Sequence, residues 1–408
     1  MIKLIGLEIS KLLHRKKTYV VIGAFVALMI LLSYSCYREE KNMKKMMSPE
    51  NQISNMQESI NYRKKDIERM KKDIDNAKTD DDKTKINNNI NSAQTDITEM
   101  ENNIEQLKSD SNKNISWKET LQKQIDSEEK SLDDITDSSS INYVKQQIEN
   151  DKYMLKNNIK PVPEYTFNAF NFITKAMEAL GTIFLAVGIA VFVSDMISGE
   201  CTPPTLKLLL TQPVSRGKVV FSKYISSILS SIIFIAVIEL IFFIIIGLIF
   251  GFGDANYPIL IGTKYKFDMS QLVNNAHPLV PIGGTGVYVA AWKFMAELIA
   301  LQSVFIIACT SFTFLISTIF RSSMVSMGTG VVIIIVSSIV LQIMRTSRII
   351  PFIFLAYGDV GSVLNSKIVM NFNNPNFTVS FFLIVMSVWT LICYTVSHIL
   401  FVKRDILI

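Results

Sequence analysis

Hydrophobic residues along this chain are grouped in two ways. Six stretches of about 20 mostly apolar residues, long enough to cross ~30 Å of hydrocarbon as helices, begin near Thr18, Asn171, Ser222, Trp292, Ser323 and Thr378. The predicted spans are 18–36, 171–194, 222–250, 292–320, 323–344 and 378–402. Between the first two, residues 37–165 are polar, and their apolar positions recur at helical spacing instead.

Within that polar region Ile53, Ile60, Ile67 and Ile74 sit seven apart, with Met56 and Met70 between them. A second seam runs Ile86, Ile90, Ala93, Ile97, Met100, Ile104, Leu107. A third joins Leu121, Ile125, Leu132 and Ile135, and a fourth Ile141, Val144, Ile148 and Leu155. Turn-like breaks at 79–82, 109–114 and 136–140 separate them. Each seam is too narrow to bury enough surface alone, so antiparallel packing as a coiled-coil hairpin or bundle is expected. Gly is absent from 37–160 and Pro occurs there only as Pro49, which suits continuous helix.

Composition sharpens this reading. Of 408 residues, 49% are hydrophobic, more than the core of a soluble domain requires, and the surplus must face lipid. The net charge of +5 lies in short basic clusters beside apolar blocks, which reads as membrane orientation rather than nucleic-acid binding. Cys36, Cys201, Cys309 and Cys393 form no CxxC pair, so neither a disulfide framework nor a zinc site is expected. A lipoprotein leader ending at Cys36 would need a small residue where Tyr34 stands, so an uncleaved anchor is preferred.

Basic residues in short loops mark the cytoplasmic side. Lys11, Arg15, Lys16 and Lys17, then Lys207, Arg216, Lys218 and Lys223, then Arg321, then Lys403 and Arg404 put both termini inside, whereas Arg345 and Arg348 run against the trend. Residues 37–165, 251–291 and 345–377 are then extracellular. The Gly- and Pro-bearing stretch 251–291 reads as a loop, with a re-entrant or interfacial piece as an option.

No GxxxxGK[ST] phosphate loop, HExxH or GxSxG occurs in the sequence, and His14, His277 and His398 are scattered. The chain is therefore read as non-catalytic, with energy arriving from a partner or an ion gradient. Glu239, set in Ile238-Glu239-Leu240 inside the third span, is the clearest intramembrane candidate. It is either on a substrate path, or a carboxyl packed against Ser226, Ser230 or Ser231, or a group at a helix interface. Glu178 and Glu297 lie nearer span ends and are weaker candidates.

The stretch Ser194-Asp195-Met196-Ile197-Ser198-Gly199-Glu200-Cys201-Thr202-Pro203-Pro204-Thr205-Leu206-Lys207-Leu208-Leu209-Leu210-Thr211-Gln212-Pro213-Val214-Ser215-Arg216 resembles the cytoplasmic segment of ABC-2-type permeases. In that family it forms a short coupling helix seated on a separate ATP-binding subunit. The matching positions are Glu200, Thr205, Leu206, Leu209, Pro213, Ser215 and Arg216; Pro203-Pro204 replaces the family's usual Gly. Leu206, Leu209 and Leu210 would form one apolar helix face, which suits a groove or, alternatively, the inner leaflet. Ser317 to Ser323, the ending Phe401 to Ile406 and an amphipathic start at residues 2–17 are also similar to the family.

The resulting expectation is an all-α membrane protein with about six transmembrane helices and an extracellular helical coiled-coil domain inserted between the first and second. Residues 1–17 form a cytoplasmic elbow helix, 195–221 the coupling segment and 403–408 a cytoplasmic tail. The resemblance implies a multi-pass permease in a bacterial plasma membrane, driven by a separate ATPase that holds ATP and Mg²⁺, and paired with a second, similar permease chain. This chain binds no cofactor or metal of its own, and its partners include membrane lipids but no nucleic acid. Export of an antimicrobial peptide, drug or lipid-like molecule by a Gram-positive cell is the implied task. The rival is a non-transporting receptor, scaffold or mechanotransmitter whose coiled coil binds an extracellular partner.

Overall fold

The computed structural model describes the chain except residues 77–78, 112–115, 133–134, 136–137, 201–214, 271, 273–276 and 404–408. Its helices are α1 (Ile2–Leu13), α2 (Lys16–Met46), α3 (Pro49–Asn76), α4 (Asp80–Ser111), α5 (Trp117–Ser131), α6 (Ser138–Lys156), α7 (Ala169–Ala179), α8 (Leu185–Val193), α9 (Arg216–Phe250), α10 (Ala291–Ile319), α11 (Ser323–Ile343), α12 (Val360–Leu364), α13 (Lys367–Phe372) and α14 (Val379–Lys403). A π-helical turn, Leu180–Phe184, joins α7 to α8. Among the described residues, six helical stretches are long and apolar enough to cross a membrane: Lys16–Met46, Ala169–Glu200, Arg216–Phe250, Ala291–Ile319, Ser323–Ile343 and Val379–Lys403.

The chain divides into two units. The smaller comprises Ser35–Asp126 with Lys160–Tyr165. In it α3 and α4 pair antiparallel around Ile60, Ile67, Ile90, Ile97 and Ile104. These are members of the seams read from the sequence. Ser48 and Pro49 start α3 because a side-chain oxygen before a first-turn proline accepts the orphan Asn51 N–H, at 3.4 Å. Thr79 does the same for Asp82, at 3.2 Å, and Asp80 to Asp82 favour the positive helix start. Arg63 to Asp96, and Lys64 to Glu101 at 3.2 Å, pair across the outside; being exposed, they set alignment more than stability.

The larger unit is Met1–Tyr34, Ser127–Ile159 and Thr166–Ile408, so residues 127–159 group with the membrane helices rather than with the α3–α4 hairpin. At its centre α10 packs against α8, α9, α11 and α14. Phe294, Phe305 and Phe314 of α10 are fully buried, as are Phe172, Tyr357 and Phe382. Much of α2, α11 and α14 remains exposed and apolar, as lipid-facing helices require.

Two regions differ from the sequence reading. The all-α expectation omits four short strands inside 251–291. β1 (Pro258–Ile261) pairs antiparallel with β4 (Val287–Ala290), and β2 (Tyr265–Phe267) with β3 (Leu279–Pro281). Gly251 and Gly253, at φ 94° and 87°, turn the chain out of α9, a backbone that glycine adopts without penalty. The carbonyls of Gly251 and Phe252 then accept the first N–H groups of α7, at 3.1 and 3.3 Å. α6 packs on β1 and β3, and Tyr288 donates to the Gln146 carbonyl at 2.8 Å. These short alternating pieces are hard to see between so many Gly and Pro.

The second region is 345–377, read as a loop. It folds into two 3₁₀ turns, Ile350–Phe352 and Phe354–Tyr357, followed by α12 and α13. Ile350, Phe354, Tyr357, Val363, Leu364 and Ile368 are buried. The apolar run from Ile349 to Tyr357 is too short to span and too apolar for water, so its second turn packs on α10, α11 and α14, while α12 packs on α7 and α10. Contact with the π turn is so close that a Cβ on Gly181 or Gly358 would overlap the other residue's backbone.

Candidate functional site

The residues leading into 201–214 form a polar anchorage in the larger unit. Where the second span ends, a 3₁₀ turn, Ser198–Glu200, lowers Glu200 beside the first turns of α9. Lys223 of α9 places its Nζ 2.9 Å from Glu200 Oε1 and 2.9 Å from Glu8 Oε2. Its side chain is 1% exposed. Lys11, four residues before Arg15, approaches the two carboxylates at 3.6 and 3.7 Å from a half-exposed position. Two acids and two amines thus balance, which is the condition for burying charge at all.

A second ion cluster lies five residues upstream. Asp195 Oδ1 is 2.7 Å from Lys17 Nζ and 3.1 Å from Arg15, tying the start of α2 to the end of the second span. Neutral hydrogen bonds fix the same turn to two further helices. Ser317 Oγ at the end of α10 accepts the N–H groups of Ile197 and Ser198, at 3.0 and 3.2 Å. Ser326 of α11 donates to the Ser194 carbonyl at 2.7 Å. Residues 194–200 are therefore fastened to α1, α2, α9, α10 and α11.

Of the site residues read from the sequence, Glu200 lies in this anchorage. Thr205, Leu206, Leu209 and Pro213 fall in 201–214, outside the described residues. Ser215 stands immediately before α9, and Arg216 opens that helix and donates to the Val402 carbonyl of α14 at 3.4 Å. Glu239 lies two-thirds along α9, 5% exposed. Its Oε1 accepts from Gln302 Nε2 of α10 at 2.7 Å. This bond sets Glu239 at a helix interface, one of the three readings above, while Ser226 Oγ donates to its own helix, at the Ser222 carbonyl. Glu178 is exposed and Glu297 half-buried.

Sequence reasoning counted Lys11, Arg15, Lys17 and Lys223 only as topology markers and missed their carboxylate partners. One signal was present. Glu8 is an acid on an otherwise apolar helix face, one turn before Leu12, and these two are the buried residues of α1. A lone acid on the packed face of a short helix needs a cation opposite it.

Comparison with known proteins bears on this arrangement. The family profile described as "ABC-2 family transporter protein" matches residues 3–406. The chain belongs to this family. Because the match runs through all six apolar spans and includes the intervening polar region, the ABC-2 protein is an integral membrane component of a transporter. A relative from Bacillus subtilis strain 168, described as "Uncharacterized protein YhcI", is 24% identical over 305 residues, covering 72% of this chain and 85% of the relative. Among the described residues, no group of three or more His, Cys, Asp or Glu side chains is placed to hold a metal.

Proposed function

We propose that this chain is the permease subunit of an ATP-binding-cassette exporter. Residues 201–214 dock on a separate ATPase, which supplies the ATP and Mg²⁺ site that this sequence lacks. Two permease chains and two ATPases form the working unit. Both termini and the 201–214 segment lie in the cytoplasm, with 37–165 outside. The exported cargo is of the antimicrobial-peptide, drug or lipid-like class.

The observation that carries this reading is the anchorage of residues 194–200. A segment that receives a push must be fastened to what it moves, and this turn is joined to five helices by ion pairs and hydrogen bonds. A merely surface-lying linker needs no such fastening. Leu206 and Leu209 supply an apolar face for the ATPase groove, and Arg216 lies just past it.

The test is purification of the tagged chain from its native membrane. An ATP-binding-cassette ATPase co-purifies with the wild type, and the Leu206→Asp/Leu209→Asp variant loses it by about 30-fold or more, as removal of a central apolar anchor requires. Retention of the ATPase by that variant, or its absence from the wild type, overturns the proposal. With the complex in hand, stimulation of ATP hydrolysis across peptides, lipids and drugs identifies the cargo class.

A further inference from the structure

Lys223 differs from the other basic residues at this end of the protein. Its ammonium is enclosed, with two charge-assisted contacts of 2.9 Å to carboxylates carried by two different elements, Glu8 on α1 and Glu200 on the turn before 201–214. The carboxylate side chains are 7% and 9% exposed. Separating either from Lys223 would leave a buried charge short of its partner, a strongly disfavoured state.

The competing attachments of the same turn are weaker in kind. Asp195 and its partners Arg15 and Lys17 have side chains 16% and 25% exposed, so solvent screens them more. Ser317 and Ser326 contribute neutral hydrogen bonds, about half as strong as charge-assisted ones. Under load the turn therefore stays with α1 and α9 and shifts against α10 and α11. α1 is also the element best able to follow. Only Glu8 and Leu12 of it are buried, while Ile2 and Leu7 are 87% and 62% exposed.

We propose that Lys223, clamped between Glu8 and Glu200, is the positioning residue that makes α1 and α9 move together with residues 201–214 when the ATPase moves them. This rests on the permease reading, and deepens it by naming which helices take the load. Lys11 completes charge balance from the exposed side. Arginine could replace Lys223, because a guanidinium also bridges two carboxylates. A neutral set at the same three positions would preserve packing but remove the clamp.

The experiment uses the permease–ATPase complex with Cys36, Cys201, Cys309 and Cys393 replaced. Nitroxides are attached to Ile2→Cys on α1 and Met324→Cys on α11, positions 87% and 79% exposed. Pulsed electron resonance measures their separation without nucleotide and after trapping with ATP and vanadate. The distance changes in the wild type and in Lys223→Arg. In Lys223→Met/Glu8→Gln/Glu200→Gln, which neutralises the buried cluster and leaves charge only on half-exposed Lys11, the ATPase still co-purifies and the nucleotide-dependent change falls about fivefold or more, the lower end of a typical coupling. A wild-type-sized change in that triple variant, or no change in the wild type, overturns the proposal. If no ATPase co-purifies with the wild type, the permease reading itself has failed, and this proposal with it.

Discussion

Glu239 and Gln302 offer a measurable test of how the span interior is held. Both are buried, at 5% and 3% exposed, and one 2.7 Å hydrogen bond joins α9 to α10 through them. Replacing Gln302 with Leu removes the donor and leaves the carboxyl in an apolar seam, where an orphaned polar group costs about 1–3 kcal/mol. Hydrogen bonds between membrane helices average only about 0.6 kcal/mol, because the unfolded state in lipid also finds partners. The burial on both sides favours the upper part of that membrane range, so a coupling energy of about 1 kcal/mol is expected. The assay is a double-mutant cycle of Glu239→Leu and Gln302→Leu, read by unfolding in mixed detergent micelles. The double variant should be more stable than the single Gln302→Leu, because removing both partners leaves nothing unpaired. Glu239→Gln keeps an acceptor for Gln302 and should destabilise less than Gln302→Leu, which orphans the carboxyl. A coupling energy within about 0.3 kcal/mol of zero would refute the pairing. Unaltered transport by Glu239→Gln assigns the residue to helix packing, and lost transport assigns it to the cargo path.

Other outcomes follow from particular contacts. Gly181→Ala and Gly358→Ala should each destabilise the membrane unit by about 1–3 kcal/mol, measurable by thermal unfolding in detergent, since a methyl at either position meets backbone. Burial, and secondarily the neighbouring Glu128 charge, push the Asp151 carboxyl up to about 6. Its folded value exceeds its unfolded one, so between about pH 6 and 4 the folded state binds more protons and α6 gains protection against hydrogen exchange as pH falls. Asp151→Asn should abolish that dependence, and an unchanged pH profile would exclude Asp151 as its source. Ile97→Ala should lower the stability of the α3–α4 hairpin by about 2–4 kcal/mol, with faster exchange in both helices because Ile97 belongs to their shared seam.

The apolar spans were legible because about 20 consecutive apolar residues admit few other structures. The α3–α4 seam was legible because isoleucines seven apart have one packing solution at that length. Boundaries were less so: α2 runs on to Met46, ten residues past Cys36, because lysine and glutamate extend a helix as readily as leucine does. The folded segment 345–377 was missed because its burial depends on a glycine-to-glycine approach that joins Gly181 to Gly358, 177 positions apart in the chain. The same limit hid the pairing of Glu8, Glu200 and Lys223. Each residue is ordinary where it stands, and only the fold brings their charges within 3 Å.

The account depends on residues 201–214 meeting the ATPase inside the cell. In a background without native cysteines, Lys207→Cys should resist a membrane-impermeant maleimide in intact cells and react once the membrane is permeabilised. Reaction from outside intact cells would contradict the topology and the exporter assignment together.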